Sequence, residues 1–294
     1  MAVSKKKNEA DAPQADDPVV AVCADPPADR ALLKTAARIA VDLGRPFLAR
    51  PRVRGLEMLL VATPRRLELR IVGGARELRG GRPVFVDASK LDVTSPAGAR
   101  LKQPIARALG LRRLRDVEGQ PPTVIDATAG WGADAFLLTS LGCRVLAVER
   151  QPIVATLLRD GAFRALAWRA AVFERLAVLD CDAGSLLRRL IGSAVAADAD
   201  LPPRLAHFLK PQIIYLDPMF PARSRLEAKP MRVLRRLAGD DEDAPRLFAA
   251  ARRVATRRVV VKRPLRAEPL AGAAPTASHK GKAVRYDVYV VNPV

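Results

Sequence analysis

Val124-Ile125-Asp126-Ala127-Thr128-Ala129-Gly130-Trp131-Gly132-Ala133-Asp134 is the stretch on which the reading of this chain turns. A short apolar run ends in an acid, passes through small residues and two glycines, and enters a helical pattern. The glycines let the backbone turn sharply and approach a ligand closely. The helix that follows brings its first amides to the same point. Read strictly, Gly130 to Ala135 satisfies G-x-G-x-x-G/A, a fingerprint that is weak until its neighbours are read.

Outward from this turn, apolar strands alternate with helical stretches. Thr123–Ala127 is followed by a helix over 133–141, Arg144–Glu149 by 152–167, and Leu176–Asp180 by 184–191. Gln212–Asp217 precedes a helical stretch around 226–256, and Arg257–Arg263 and Arg285–Val291 complete the set. Buried strands each followed by a helix predict an α/β fold with a doubly wound parallel sheet. Ligands in such sheets bind beyond the carboxyl ends of the strands.

The chain before residue 116 reads differently. Residues 1–18 are poor in apolar side chains and predict a disordered tail. A small α+β appendage is expected over 19–115. It comprises a strand at Val19–Ala24, a helix over Ala28–Leu43 stopped by Gly44 and Pro46, a hairpin of Glu57–Ala62 and Leu67–Val72, a strand at Val84–Asp87, and a basic helix within 96–115. The expected organisation is a tail over 1–18, the appendage with its basic helix over 19–115, and the catalytic unit over 116–294.

Composition limits the function. The 294 residues hold 50 Lys and Arg against 31 Asp and Glu, a formal charge of +19, which points to a polyanionic partner. Residues 51–115 carry 15 basic and 5 acidic side chains, 223–285 carry 17 and 6, and the stretch 116–222 between them carries 10 and 12. The excess therefore flanks a near-neutral centre. No apolar run reaches the length of a membrane span, and no secretory leader is evident, so a cytoplasmic protein without a membrane partner is expected. Cys23, Cys143 and Cys181 are odd in number and far apart, which suits reduced thiols and packing roles. With two histidines, His207 and His279, no metal site is expected. His207 is read on a surface loop and His279 on a basic one.

The strand ends carry the chemistry. Glu149 closes the second strand nineteen residues after Gly130, where a carboxylate accepts ribose hydroxyls of NAD or S-adenosylmethionine alike. The third strand ends in Asp180-Cys181-Asp182-Ala183, whose carboxylates serve either an adenine amine or the N-cap of the next helix. The fourth ends in Tyr215-Leu216-Asp217-Pro218-Met219-Phe220-Pro221. Hydride transfer has no use for this block, but methylation of an exocyclic amine does. Such an amine delocalises its lone pair into the ring and is a poor nucleophile. Asp217 and the Pro218 turn carbonyl can accept its two N–H groups, and Phe220 can stack on the presented base. Lys262 and Arg263, ending the next strand, are candidates for phosphate contact. Arg232, Arg235 and Arg236 lie at helical spacing, as a backbone-tracking stripe would.

Together these motifs resemble the class I S-adenosylmethionine-dependent methyltransferases. The D-P-M-F-P block, Met231-Arg232-Val233 and Val259-Val260-Val261-Lys262-Arg263-Pro264 narrow the likeness to the RsmJ family of 16S ribosomal RNA guanine-N2 methyltransferases, over roughly residues 55–294. The resemblance implies a Rossmann-like fold, S-adenosylmethionine as cofactor, and 16S rRNA or the small ribosomal subunit as partner. By position it assigns cofactor contacts to Ala133, Asp134, Glu149, Arg150, Asp182, Ala183 and Asp217, beside Asp126, Gly130 and Gly132 of the first turn. Trp131 departs from the pattern, filling a position where a smaller apolar residue is usual. Two other readings stand beside this one: an amine methyltransferase acting on DNA adenine or protein glutamine, and a non-catalytic RNA-binding protein. An NAD oxidoreductase fits the glycine spacing alone.

Overall fold

The structure, a computed structural model, describes residues 18–50, 53–90, 103–112, 114, 119–192, 202–219 and 228–291. The expected N-terminal tail, most of the basic stretch before Gln103, and Phe220 lie outside the described residues. Contacts divide the chain into two compact units: residues up to Pro64 with Leu69–Val84, and Arg65–Glu68 with everything from Phe85 onward.

The smaller unit is built on a four-stranded sheet in the order β2-β1-β3-β4, from β1 (Val20–Ala24), β2 (Phe47–Leu48), β3 (Met58–Ala62) and β4 (Leu67–Ile71). β1 and β3 are buried along their whole length and pair in parallel. Helix α1 (Arg30–Leu43) begins where the Asp29 carboxylate accepts the N–H groups of Ala31 and Leu32 at 2.9 and 3.0 Å. It stops at Gly44, whose φ of 62° suits a residue without a Cβ. The strand expected over Val84–Asp87 is reduced to one bridge between Val84 and Leu69.

The larger unit holds a seven-stranded sheet in the order β10-β11-β9-β8-β5-β6-β7. Its strands are β5 (Thr123–Asp126), β6 (Arg144–Glu149), β7 (Leu176–Asp180), β8 (Ile213–Leu216), β9 (Arg258–Pro264), β10 (Ala277–Lys280) and β11 (Val284–Val290). β5 to β9 are mutually parallel, whereas β11 runs antiparallel to β9, and β10 antiparallel to β11. The sheet is therefore mixed at one edge, and β10 is a strand where a loop is expected for His279. From β5 the chain winds outward through β6 and β7, then returns to β8 on the other side of β5. That reversal opens a crevice at the carboxyl ends of β5 and β8.

The helices of this unit are α2 (Pro104–Ala108), α3 (Ala133–Ser140), α4 (Pro152–Trp168), α5 (Ala170–Phe173), α6 (Ala183–Gly192), α7 (Lys229–Ala238) and α8 (Ala244–Val254). α7 and α8 replace the single stretch expected over 226–256, because Gly239 ends α7 with a φ of 71°. Alternate strand residues Ile125, Leu146, Val148, Ile214, Leu216, Val259 and Val261 form one core with Leu186, Leu187 and Leu190 of α6 and Leu247, Phe248 and Ala251 of α8. Phe85–Lys90, Gln103–Arg112 and Leu114, expected as part of the appendage and its basic helix, cluster by contacts with the larger unit. Ile105, Leu109, Leu111 and Leu114 are buried there. No helix among the described residues is long and apolar enough to cross a membrane.

Candidate active site

A cleft opens at the reversal point, lined by Asp126, Gly130, Ala133, Asp134, Glu149, Arg150, Asp182, Ala183 and Asp217. Nine of the residues singled out in the sequence thus meet around one space. Gly132 and Pro218 do not line it. Gly132 acts from behind: its φ is 80°, and a Cβ there would fall 2.3 Å from Leu158 Cδ1, so it sets the turn into α3. Gly130, at φ 51°, is the glycine of the cleft wall, where a Cβ would meet the lining residue Leu234 at 3.1 Å.

On the β6 side, both Glu149 oxygens are engaged by backbone: Oε2 accepts Gly130 N–H and Oε1 accepts Gln151 N–H, each at 2.8 Å. Burial pushes this carboxyl up, and the two N–H bonds oppose the rise. Asp182 caps α6 by accepting Ser185 N–H at 2.7 Å. Burial raises its carboxyl, but the Ser185 bonds and the charge of Arg188 outweigh that and leave it below the ordinary value. Both uses offered for this acid therefore remain compatible, since it caps the helix and faces the cleft. Cys181 beside it has its thiol pushed up to about 11 by burial and by the neighbouring acids Asp182 and Asp180, which leaves it inert as a nucleophile.

On the β8 side, two carboxylates share one ammonium. Lys262 Nζ lies 2.8 Å from Asp134 Oδ2 and 2.9 Å from Asp217 Oδ2, and the Tyr215 hydroxyl donates to the same Asp134 oxygen at 2.8 Å. Asp126, buried beneath them, is pushed well up by burial and then by Asp134. Burial likewise raises Asp217, to about 6; Lys262 opposes this and Asp134 adds to it. The Lys262 ammonium is itself raised, because Asp217 and Asp134 more than offset its burial. Among the described residues, Asp217 Oδ1 has no protein partner. Thr128 Oγ1 accepts Asp217 N–H at 2.7 Å, which fixes the β8 end against the β5 turn.

A loop not singled out in the sequence joins the two sides. Arg150 donates to Asp241 Oδ1 at 2.6 Å and to Asp243 Oδ1 at 3.1 Å, while Asp241 Oδ2 accepts Met219 N–H at 2.6 Å. Gln151 donates to Leu237 O at 3.2 Å, and Trp131 donates to Pro230 O at 2.9 Å, so both hold α7 beside the cleft. The unusual Trp131 has a use that a smaller side chain would lack. The acid run Asp240 to Asp243 within a basic region is the signal that would have found this loop. Arg263, expected at phosphate, instead is buried and donates to Glu268 O at 3.0 Å through Nε. Alternation along β9 sends it to the face opposite Lys262.

The model of a family described as putative SAM-dependent methyltransferases matches residues 51–291. A ribosomal RNA small subunit methyltransferase J from Coxiella burnetii is 41% identical over 239 residues, covering 80% of this chain and 84% of the relative. One of the same name from Chromohalobacter salexigens is 44% identical over 237 residues, covering 79% and 84%. The chain belongs to the ribosomal RNA small subunit methyltransferase J family. The crystal structure of a SAM-dependent methyltransferase from Neisseria gonorrhoeae superposes with a TM-score of 0.63 at 32% identity, covering 92% of this chain and 95% of that one.

The cofactor of this methyltransferase J family member is S-adenosylmethionine. The cleft suits it in three respects. The Gly130 turn leaves room that a Cβ would fill, and Glu149 presents carboxylate oxygens with lone pairs beyond those its two N–H partners use. Asp182 supplies a second acid at the next strand end, and the Met231 and Leu234 side chains of α7 add apolar wall.

Proposed function

We propose that this protein transfers a methyl group from S-adenosylmethionine to the exocyclic N2 amine of a guanine in small-subunit ribosomal RNA. The observation that carries the reading is Asp217: a strand-end carboxylate that lines the cleft, with one oxygen held by Lys262 and the other without a protein partner among the described residues. The names of the curated relatives support ribosomal RNA as the substrate class. The cofactor, when bound, supplies an electrophilic sulfonium methyl. The remaining work falls to the chain.

In this reading Asp217 Oδ1 accepts one N–H of the amine, which localises the lone pair on nitrogen, while Pro218, buried and outside the cleft lining, shapes the turn that carries Asp217 rather than accepting the second N–H. As the N–C bond forms and the methyl's bond to sulfur breaks to leave a neutral thioether, nitrogen becomes cationic and must lose a proton. A carboxylate raised to about 6 is a better proton acceptor than an ordinary Asp and is still ionised at neutral pH. Lys262 keeps it ionised and fixes its orientation, and Asp134 in turn fixes Lys262. Phe220 is assigned to stacking on the base. Glu149 and Asp182 are assigned to the ribose and adenine of the cofactor, with Gly130 and Ala133 as backbone wall. Arg150 acts as a strut, since its guanidinium is committed to Asp241 and Asp243.

The test is transfer of labelled methyl from S-adenosylmethionine to small subunits lacking the modification, followed by nucleoside mass spectrometry. N2-methylguanosine is expected from the wild type, with none from Asp217→Ala that retains cofactor binding. Label appearing in DNA adenine or protein glutamine, or full activity in Asp217→Ala, would overturn the assignment.

A further inference from the structure

The sheet carries a row of side chains that leads away from the cleft. Lys262 of β9 pairs with Tyr286 of β11, and Tyr286 pairs with His279 of β10. Residues opposite one another in neighbouring strands share a face, and strands lie about 4.8 Å apart, so His279 stands about 10 Å from the Lys262 position along this row. Helix α2 covers the same edge. Arg258, on the Lys262 face of β9 by alternation, donates to Ala108 O at 3.1 Å, and a Cβ at Gly281 would come within 3.8 Å of Pro104 Cγ. The His279 imidazole is held below its ordinary value by burial and then by the charges of Arg107 and Arg258.

The charge at this edge is of one sign. Arg107, Arg112, Lys280 and Lys282 are exposed, and none forms an ion pair with an acid among the described residues. Residues 103–112 and 277–284 contain no acidic residue. The nearest acid in the hairpin, Asp287, is fully buried and held by Arg285 through Nε at 2.9 Å and Nη2 at 3.0 Å. Lys280 pairs with Arg285 and Arg285 with Arg263, which sets the hairpin tip level with the carboxyl end of β9, where the cleft opens. An edge of clustered cations whose own acid is neutralised internally is poorly suited to a protein partner's mixed surface and well suited to a row of phosphates.

We infer that the β10–β11 hairpin and α2 form the surface that grips the RNA backbone next to the methylated base, with Arg107, Lys280 and Lys282 as phosphate contacts. This rests on the functional reading above and adds to it where the nucleic acid lies. Each phosphate neutralised contributes about 0.7 to the slope of log affinity against log salt for a single strand, or about fourfold in affinity at 0.15 M salt.

The experiment compares wild type with Arg107→Gln/Lys280→Gln/Lys282→Gln on small subunits, measuring KM for RNA, kcat, cofactor affinity, thermal midpoint and the salt dependence of RNA binding. The expected result is a KM raised about fiftyfold at 0.15 M salt and a salt slope shallower by about 2, with kcat, cofactor affinity and thermal midpoint unchanged. A folded triple variant with wild-type KM and slope overturns the surface while leaving the functional reading intact. Wild-type protein that methylates no ribosomal RNA overturns the functional reading and this surface with it.

Discussion

Replacing Lys262 by Met removes an ammonium that touches both Asp134 and Asp217, at 2.8 and 2.9 Å, and keeps a flexible side chain of similar length. An adjacent cation typically lowers a carboxyl pKa by about 1 to 3 units, so its loss should raise Asp217 from about 6 to about 8. The carboxylate fraction at pH 7 would then fall from about nine-tenths to about one-tenth. Methyl transfer measured as kcat/KM between pH 5.5 and 9.5 reports this directly, because its acidic limb follows the base of the unliganded enzyme. The expected outcome is a limb displaced upward by about 2 units, roughly tenfold lower activity at pH 7, and recovery of most of that loss by pH 9. Lys262→Arg, which keeps the charge, should hold the limb near its original position. A Met variant with a uniform loss at every pH and an unmoved limb would refute the reasoning and leave Lys262 as a mere spacer.

Two further outcomes follow from the same geometry. Glu149→Gln should weaken S-adenosylmethionine binding about 10- to 100-fold by calorimetry while RNA affinity holds, since a charged acceptor is replaced by a neutral one. Asp126 has its carboxyl raised by burial, then by Asp134, so the folded protein holds a proton that the unfolded chain has released. Wild-type stability must therefore fall as pH rises from about 3.9 toward the folded value, by about 1.4 kcal/mol per pH unit from this group. Asp126→Asn lacks that loss, so urea midpoints taken from pH 4 to 8 should diverge in its favour; parallel curves would contradict it.

Much of the larger unit could be read from the chain because most of its strands are short apolar runs, and β5 to β8 run into an acid at their ends. β6 and β7 fall on the residues expected, and β5, β8, β9 and β11 lie within a residue or two. Asp126, Glu149, Asp182 and Asp217 of the cleft were legible for the same reason, each lying at or just after a strand end, whereas Asp134 was legible from the glycine turn that leads into α3. β10 was not, because Ala277-Ser278-His279-Lys280 has no apolar alternation and its ladder is supplied by β11. Nor was the split of α7 from α8, where a single Gly239 inside a long amphipathic pattern does not by itself say stop. The partner of Lys262 was illegible too. Adjacent strand residues face opposite ways, and without the register of β9 the sequence gives no means to decide that Lys262 meets the acids while Arg263 meets a carbonyl.

The strand order has a consequence for how the protein is made. β5 pairs with β6 across a short connection but with the β8 side across 89 residues, marked by the reciprocal bonds between Thr123 and Gln212 at 3.0 Å. Closing the longer loop costs about 1.3 kcal/mol more in chain entropy than closing one of about twenty residues. Glu149 and Asp182 thus sit on a continuous, cheaply closed segment, and Met231 and Leu234 of α7 join the cleft from later in the chain. Asp217 and Lys262 come later in the chain, on β8 and β9, which must pair onto the free edge of β5 across the longer loop, so the two sides of one cleft are joined at different entropic costs.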